Sequence, residues 1–134
     1  MEFGFEKLEV YRLSIDFANK AFALSKNFSV KVQSSLGDQL RRAVVSIANN
    51  IAEGSNKVSD REKKQFYSHS LNSTAECIPI MTIANMQHEL SDPDHEELRE
   101  ICGRIYKMLF KLIRAVDKES CSDSSVLKPK TINE

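Results

Sequence analysis

The chain of 134 residues predicts an all-α fold, an antiparallel up-down-up-down four-helix bundle. Three observations carry that prediction. Glycine and proline number only four and three, so few positions can stop a helix. Apolar residues recur at intervals of three and four, and no alternating run of strand type is present. The periodic segments are separated by short polar links, which makes consecutive helices antiparallel neighbours.

The first helix is expected from about Glu6 to Ser25, burying Leu8, Tyr11, Ile15, Ala18 and Phe22. A connection over Lys26 to Lys31 follows, with Phe28 packing back on the bundle. The second helix begins at Val32 or Ser34 and ends at Glu53, its inner arc formed by Leu36, Leu40, Ala43, Val44, Ile47 and Ile51. Gly54 stands where a helix commonly needs a residue able to take positive φ, which reads as its stop. Arg42, Ser46, Asn49 and Glu53 form a polar stripe on its back. Ser59-Asp60-Arg61-Glu62 is a capping box opening the third helix, which runs to about His88. Its inner arc is read as Phe66, Ser70, Ser73, Cys77, Met81 and Ala84, small enough for a neighbouring helix to approach closely. Pro79, inside it, is expected to kink or split the helix. Asp92 as cap and Pro93 at the first position open the fourth helix, which buries Leu98, Ile101, Cys102, Ile105, Leu109, Leu112 and Val116. The bundle thus occupies residues 1–118, and residues 119–134 form a polar tail expected to be disordered.

Composition narrows the function. Lys plus Arg equals Asp plus Glu at 19 each, so no global field draws in nucleic acid, and a basic patch has to be local. No run of about 18 apolar residues occurs, so no membrane span is expected. The N-terminus shows no basic-then-apolar leader pattern. Three cysteines, Cys77, Cys102 and Cys121, are widely spaced without a C-x-x-C, which suits a reduced cytoplasm. His69, His88 and His95 lie in no metal-ligand spacing, and nucleophile-elbow, P-loop and dinucleotide motifs are missing. The reading is a non-catalytic protein without cofactor or metal.

The segment Gln39 to Gly54 resembles the pattern Q-hydrophobic-R-R-A-x-x-S-I-x-x-N-I-A-E-G of the 23S rRNA intervening sequence proteins, the S23-like family. Gln39, Arg41, Arg42, Ala43, Ser46, Ile47, Asn50, Ile51, Ala52, Glu53 and Gly54 meet it. Phe5, Leu8, Val10 and Tyr11 match the family's opening, and Ser59, Phe66, Ser73 and Glu76 its next helix. Asn72 departs from it, standing where the family often has glycine before the serine. The resemblance covers roughly residues 3 to 114. It implies a four-helix bundle, a homo-oligomeric ring (a pentamer in relatives), and association with structured RNA or a ribonucleoprotein. A related branch serves as accessory protein to retroelement reverse transcriptases; its members are markedly basic, and this chain is not.

Two groups of cations are candidate nucleic-acid contacts. Arg104, Lys107, Lys111, Arg114 and Lys118 fall within about 80° of one another on the fourth helix, away from its apolar arc. The same order, with Asp92, Asp94, Glu96, Glu97 and Glu100 at the helix start, also complements the macrodipole of a merely solvated face. Arg41 and Arg42 are the second group, and either could instead serve the fold or a subunit contact. Gln39, Ser46, Asn50, Glu53 and Gly54 are read as structural members of the motif, the polar ones tying helix to helix. Tyr106, Phe110 and Ile113 form an extra apolar patch that suggests self-association. The competing reading is a protein-interaction module that binds no nucleic acid, and a third is a small-molecule site in a gap opened by Pro79.

Overall fold

A computed structural model describes residues 1–123, with side chains to residue 118. A single 3-10 turn, Gly4–Lys7, leads into α1, Glu9–Ser25. A short helical turn, Val30–Val32, and a π turn, Gln33–Gly37, lead into α2, Asp38–Asn56. The third and fourth helices are α3, Asp60–Met86, and α4, Asp92–Asp123. Among the described residues there is no strand. Each helix packs against two others: α2 on α3, α3 on α4, and α1 against both α2 and α4, which closes the square. The expected tail lies, from residue 124 onward, outside the described residues.

Phe17, Leu40, Val44, Ile47, Ile51, Met81, Leu98, Ile105 and Leu109 are fully buried between the four helices. Each such side chain contributes about 1.5–3 kcal/mol on leaving water. On α2 and α4 the buried faces follow the apolar repeat, with Leu112 half-buried at the margin of α4; Leu36, expected inside the second helix, is half-buried in the π turn before it.

The inner face of α1 is turned by about one residue from the expected one. Val10, Ser14, Phe17, Ala21 and Ser25 are buried, Leu8, Tyr11, Ile15 and Ala18 are half-buried, and Phe22 is exposed. The serines explain the shift. The Ser14 hydroxyl donates to the Tyr11 carbonyl at 2.6 Å and that of Ser25 to Phe22 at 3.1 Å. A hydroxyl satisfied within its own helix enters a core cheaply, so counting apolar residues alone misplaces the face. On α3 the expected Ser70, Cys77, Met81 and Ala84 are buried, while Tyr67 and Thr74 are buried in place of Phe66 and Ser73, which are half-buried. The Thr74 hydroxyl donates to the Ser70 carbonyl at 2.8 Å.

Gly54 does not end α2. The helix continues to Asn56, and no glycine has positive φ. A Cβ at Gly54 would lie 2.7 Å from Tyr67 Cε1 and 2.8 Å from Cδ1, so close packing of α3 is what requires glycine there.

Pro79 leaves α3 unsplit, and the helix is continuous from Asp60 to Met86. Its end is a Schellman motif built on a non-glycine residue. His88 takes φ 63°, its N–H donates to the Asn85 carbonyl at 3.0 Å, and the Glu89 N–H donates to Ala84 at 2.9 Å. Ser59 caps α3, the Glu62 amide donating to its hydroxyl at 3.1 Å, which is one half of the expected capping box. The cap of α4 is one residue earlier than expected. The Asp94 amide donates to Ser91 Oγ at 3.3 Å, while Asp92 accepts from Asn85 Nδ2 at 2.8 Å across the loop.

Glu89 joins the two loops at this end of the bundle. Its carboxylate accepts from the Ser29 amide at 2.7 Å and from the Ser29 hydroxyl at 2.8 Å. These hydrogen bonds hold its pKa below the ordinary 4.5. A depressed carboxylate pKa stabilises the fold above the unfolded-state pKa, and that stability is lost as pH falls through the folded-state value. Glu89→Gln is therefore expected to melt below wild type at pH 7, with the gap closing as pH drops beneath 4.5. Melts across this range check it; a constant gap would mean that the hydrogen bonds do not depend on charge.

Candidate nucleic-acid interface

Arg104, Lys107, Lys111, Arg114 and Lys118 all emerge from α4 as exposed side chains, spaced three or four residues apart on its outer face. None of the five forms an ion pair with another described residue. The charges that do pair lie at the flanks of the helix, Lys20 with Glu97 at 3.1 Å and Lys64 with Asp117 at 2.9 Å. The acidic residues near the start of α4 thus leave the stripe uncompensated by direct contact, one cation per helical turn along a surface free of core-packing duties.

Of the apolar patch, Phe110 is 49% exposed and Tyr106 42%, while Ile113 is half-buried. The two rings face different surroundings. Phe110 lines a recess of about 390 Å³ with Lys111, Arg114, Ala115 and Lys118. Tyr106 lines a hollow of about 370 Å³ between α3 and α4, together with Thr74, Ala75, Ile78, Gly103 and Lys107. That hollow escaped sequence reasoning. A glycine in mid-helix was its signal, and only the pairing of two helices brings it opposite Ala75 and Ile78.

The adjacent arginines have different surroundings. The Arg41 guanidinium is half-buried and committed to the scaffold. It donates to Ser25 Oγ at 2.9 Å, to Gln33 Oε1 at 3.2 Å and carbonyl at 3.0 Å, and to Asp38 Oδ1 at 2.8 Å. Gln33 in turn donates to the carbonyls of Ser25 at 2.7 Å and Phe28 at 2.9 Å, so the turn between α1 and α2 is stitched around one cation. Arg42 is exposed and contributes to two shallow grooves on either side of α2. One, of about 540 Å³, has Pro79 and Glu76 in its wall.

Of the polar motif residues expected to tie helix to helix, only Ser46 does so among the described residues, since Asn50 bonds within α2 and Gln39 is exposed. Ser46 and Ser73 share a hydrogen bond of 2.8 Å, Asn50 Nδ2 donates to the Ser46 carbonyl at 2.8 Å, and Ser70 donates to the Ile47 carbonyl at 2.8 Å. Gln39 and Glu53 are exposed, and Glu53 lies 3.9 Å from Lys57.

Titratable groups offer little chemistry elsewhere. Hydrogen bonding with Cys102, together with burial, pushes the Cys77 thiol far above the ordinary cysteine range, so it stays protonated at neutral pH. Cys102 donates its own proton to the Thr74 carbonyl at 3.2 Å. His69 is exposed with its ring edge-on to Phe66. Among the described residues no cluster of His, Cys, Asp and Glu could hold a metal ion, and no helix is long and apolar enough to cross a membrane.

No curated protein matches the chain. A family model described as 23S rRNA-intervening sequence protein matches residues 6–111, from the 3-10 turn before α1 to the middle of the basic stripe. That match spans most of the chain and includes the whole Gln39 to Gly54 motif; the chain belongs to the family of 23S rRNA-intervening sequence proteins.

Proposed function

We propose that this protein is a non-catalytic, homo-oligomeric scaffold that associates with structured RNA or a ribonucleoprotein in the cytoplasm through the outer face of α4. The observation that carries the reading is the stripe of Arg104, Lys107, Lys111, Arg114 and Lys118, unpaired among the described residues, which can follow a phosphate backbone along the helix. With the net charge at zero, affinity has to come from this local array, multiplied by its repetition around a ring. The exposed Phe110 and its neighbour Ile113 support self-association, for which a pentamer is the expected size, with Tyr106 at the margin. Buried free thiols at Cys77 and Cys102 suit a reducing compartment. Arg41 is left to the scaffold, and Arg42 remains a peripheral contact.

The test is light scattering of the purified protein, reading the 260/280 nm absorbance ratio across the peak at low and high salt. Wild type is expected to elute as an oligomer carrying nucleic acid that salt removes. The variant Arg104→Glu/Lys107→Glu/Lys111→Glu should keep mass and helicity but lose the nucleic acid, its dependence of log affinity on log salt flattening by about two to three. In the same run Phe110→Asp should reduce the mass. A clean oligomer without nucleic acid at low salt would favour the protein-interaction module, for which the exposed Phe110 surface is then the docking face.

A further inference from the structure

We infer that the hollow between α3 and α4 is a pocket for one unpaired nucleobase of an RNA strand, stacked on Tyr106 with the adjoining phosphate on Lys107. The inference rests on the RNA reading of α4 and adds to it what that surface recognises. Three features of the hollow point to this occupant.

First, its shape is set by an omission. Gly103 lies in the middle of α4, and a Cβ built there would meet nothing within 4 Å, so the site is open space where any other residue would put a side chain. At about 370 Å³ the space falls in the range of small-ligand sites. Second, Tyr106 stands at its edge with 42% of its surface exposed. An aromatic face beside an open apolar cleft is the usual platform for an unstacked base.

Third, the rim is cationic. Lys107 lines the hollow and belongs to the stripe formed with Arg104 and Lys111, so a strand tracking the stripe passes the opening. A continuous duplex keeps its bases paired and stacked, so the pocket selects bulges, loops and single strands.

The experiment is fluorescence anisotropy at low salt with a labelled single-stranded RNA of about ten nucleotides and a blunt duplex of the same length. The proteins compared are wild type, Tyr106→Phe, Tyr106→Ala and Gly103→Leu, each checked for helicity and mass. Tyr106→Ala, which removes the stacking face, and Gly103→Leu, which fills the space without touching the stripe, should each weaken single-strand binding by about tenfold. Duplex binding should stay within about twofold, and Tyr106→Phe should behave as wild type. If wild type binds RNA and both variants bind the single strand equally well, the pocket assignment falls while the α4 stripe stands. Equal loss on single strand and duplex, or a change of mass in Tyr106→Ala, also overturns it, the latter by showing the ring to be covered by a second copy. If wild type binds neither RNA, the proposed function fails and the pocket with it.

Discussion

Gly54→Ala is expected to destabilise the bundle by about 1–3 kcal/mol, whereas Gly103→Ala is expected to stabilise it by about 1 kcal/mol. Both glycines are helical, so intrinsic propensity favours alanine at each. What separates them is the neighbouring helix. At Gly54 the new methyl would sit 2.7 and 2.8 Å from the Tyr67 ring and 3.2 Å from Phe66 Cβ. The ring cannot easily retreat, because it is buried and its hydroxyl is held at 3.1 Å by Ser55. The α2–α3 pair would have to separate, straining the Ser46–Ser73 and Ser70–Ile47 hydrogen bonds next along the seam. At Gly103 no atom stands in the way. Urea denaturation followed by circular dichroism gives both values; equal effects at the two positions would show that the Tyr67 ring yields, contrary to this account.

Arg41→Ala is expected to cost about 2–4 kcal/mol, and Arg41→Lys to recover less than half of that. The guanidinium satisfies four acceptors on three segments: the end of α1, the π turn, and the first residue of α2. Removing it takes the donor from Ser25 Oγ and from both Gln33 oxygens in a half-buried region, and leaves Asp38 without its 2.8 Å partner. A lysine ammonium is a point donor and cannot span acceptors arranged for a planar fork. Gly37 belongs to the same arrangement, since a Cβ there would stand 3.0 Å from the Arg41 guanidinium. Thermal melts measure the loss, and amide exchange over Ser25 to Gly37 should show it concentrated there. A variant within about 0.5 kcal/mol of wild type would return Arg41 to the pool of candidate RNA contacts.

The contrast between Arg41 and Arg42 shows where reading the chain stops being informative. Both meet the family motif equally well, and one-dimensional spacing cannot say which is enclosed. The decision came from the π turn, which brings Gln33 and Ser25 under Arg41 and leaves Arg42 facing outward. Gly54 is a similar case. A glycine after a polar helix end is the ordinary mark of a stop, and nothing local distinguishes that from a glycine required by a tyrosine thirteen residues later. The face of α1 lies one position from its apolar repeat because Ser14 and Ser25 enter the core with hydroxyls bonded within the helix, whereas on α3 Ser70, Cys77, Met81 and Ala84 are buried as read and only Tyr67 and Thr74 replace Phe66 and Ser73.

The sequence by itself determined the helices, their order, the inner arcs of α2 and α4, the Ser59 cap, the family motif and the basic stripe. Each depends on residues within about four positions of one another, and so on a period that can be read along the chain. Only the tertiary structure decided which arginine is scaffold, why Gly54 must lack a side chain, and that Tyr106, Ala75 and Gly103 share one hollow. These depend on how closely two helices approach and on which atoms meet across the gap, distances that arise only when separate periods are packed against each other.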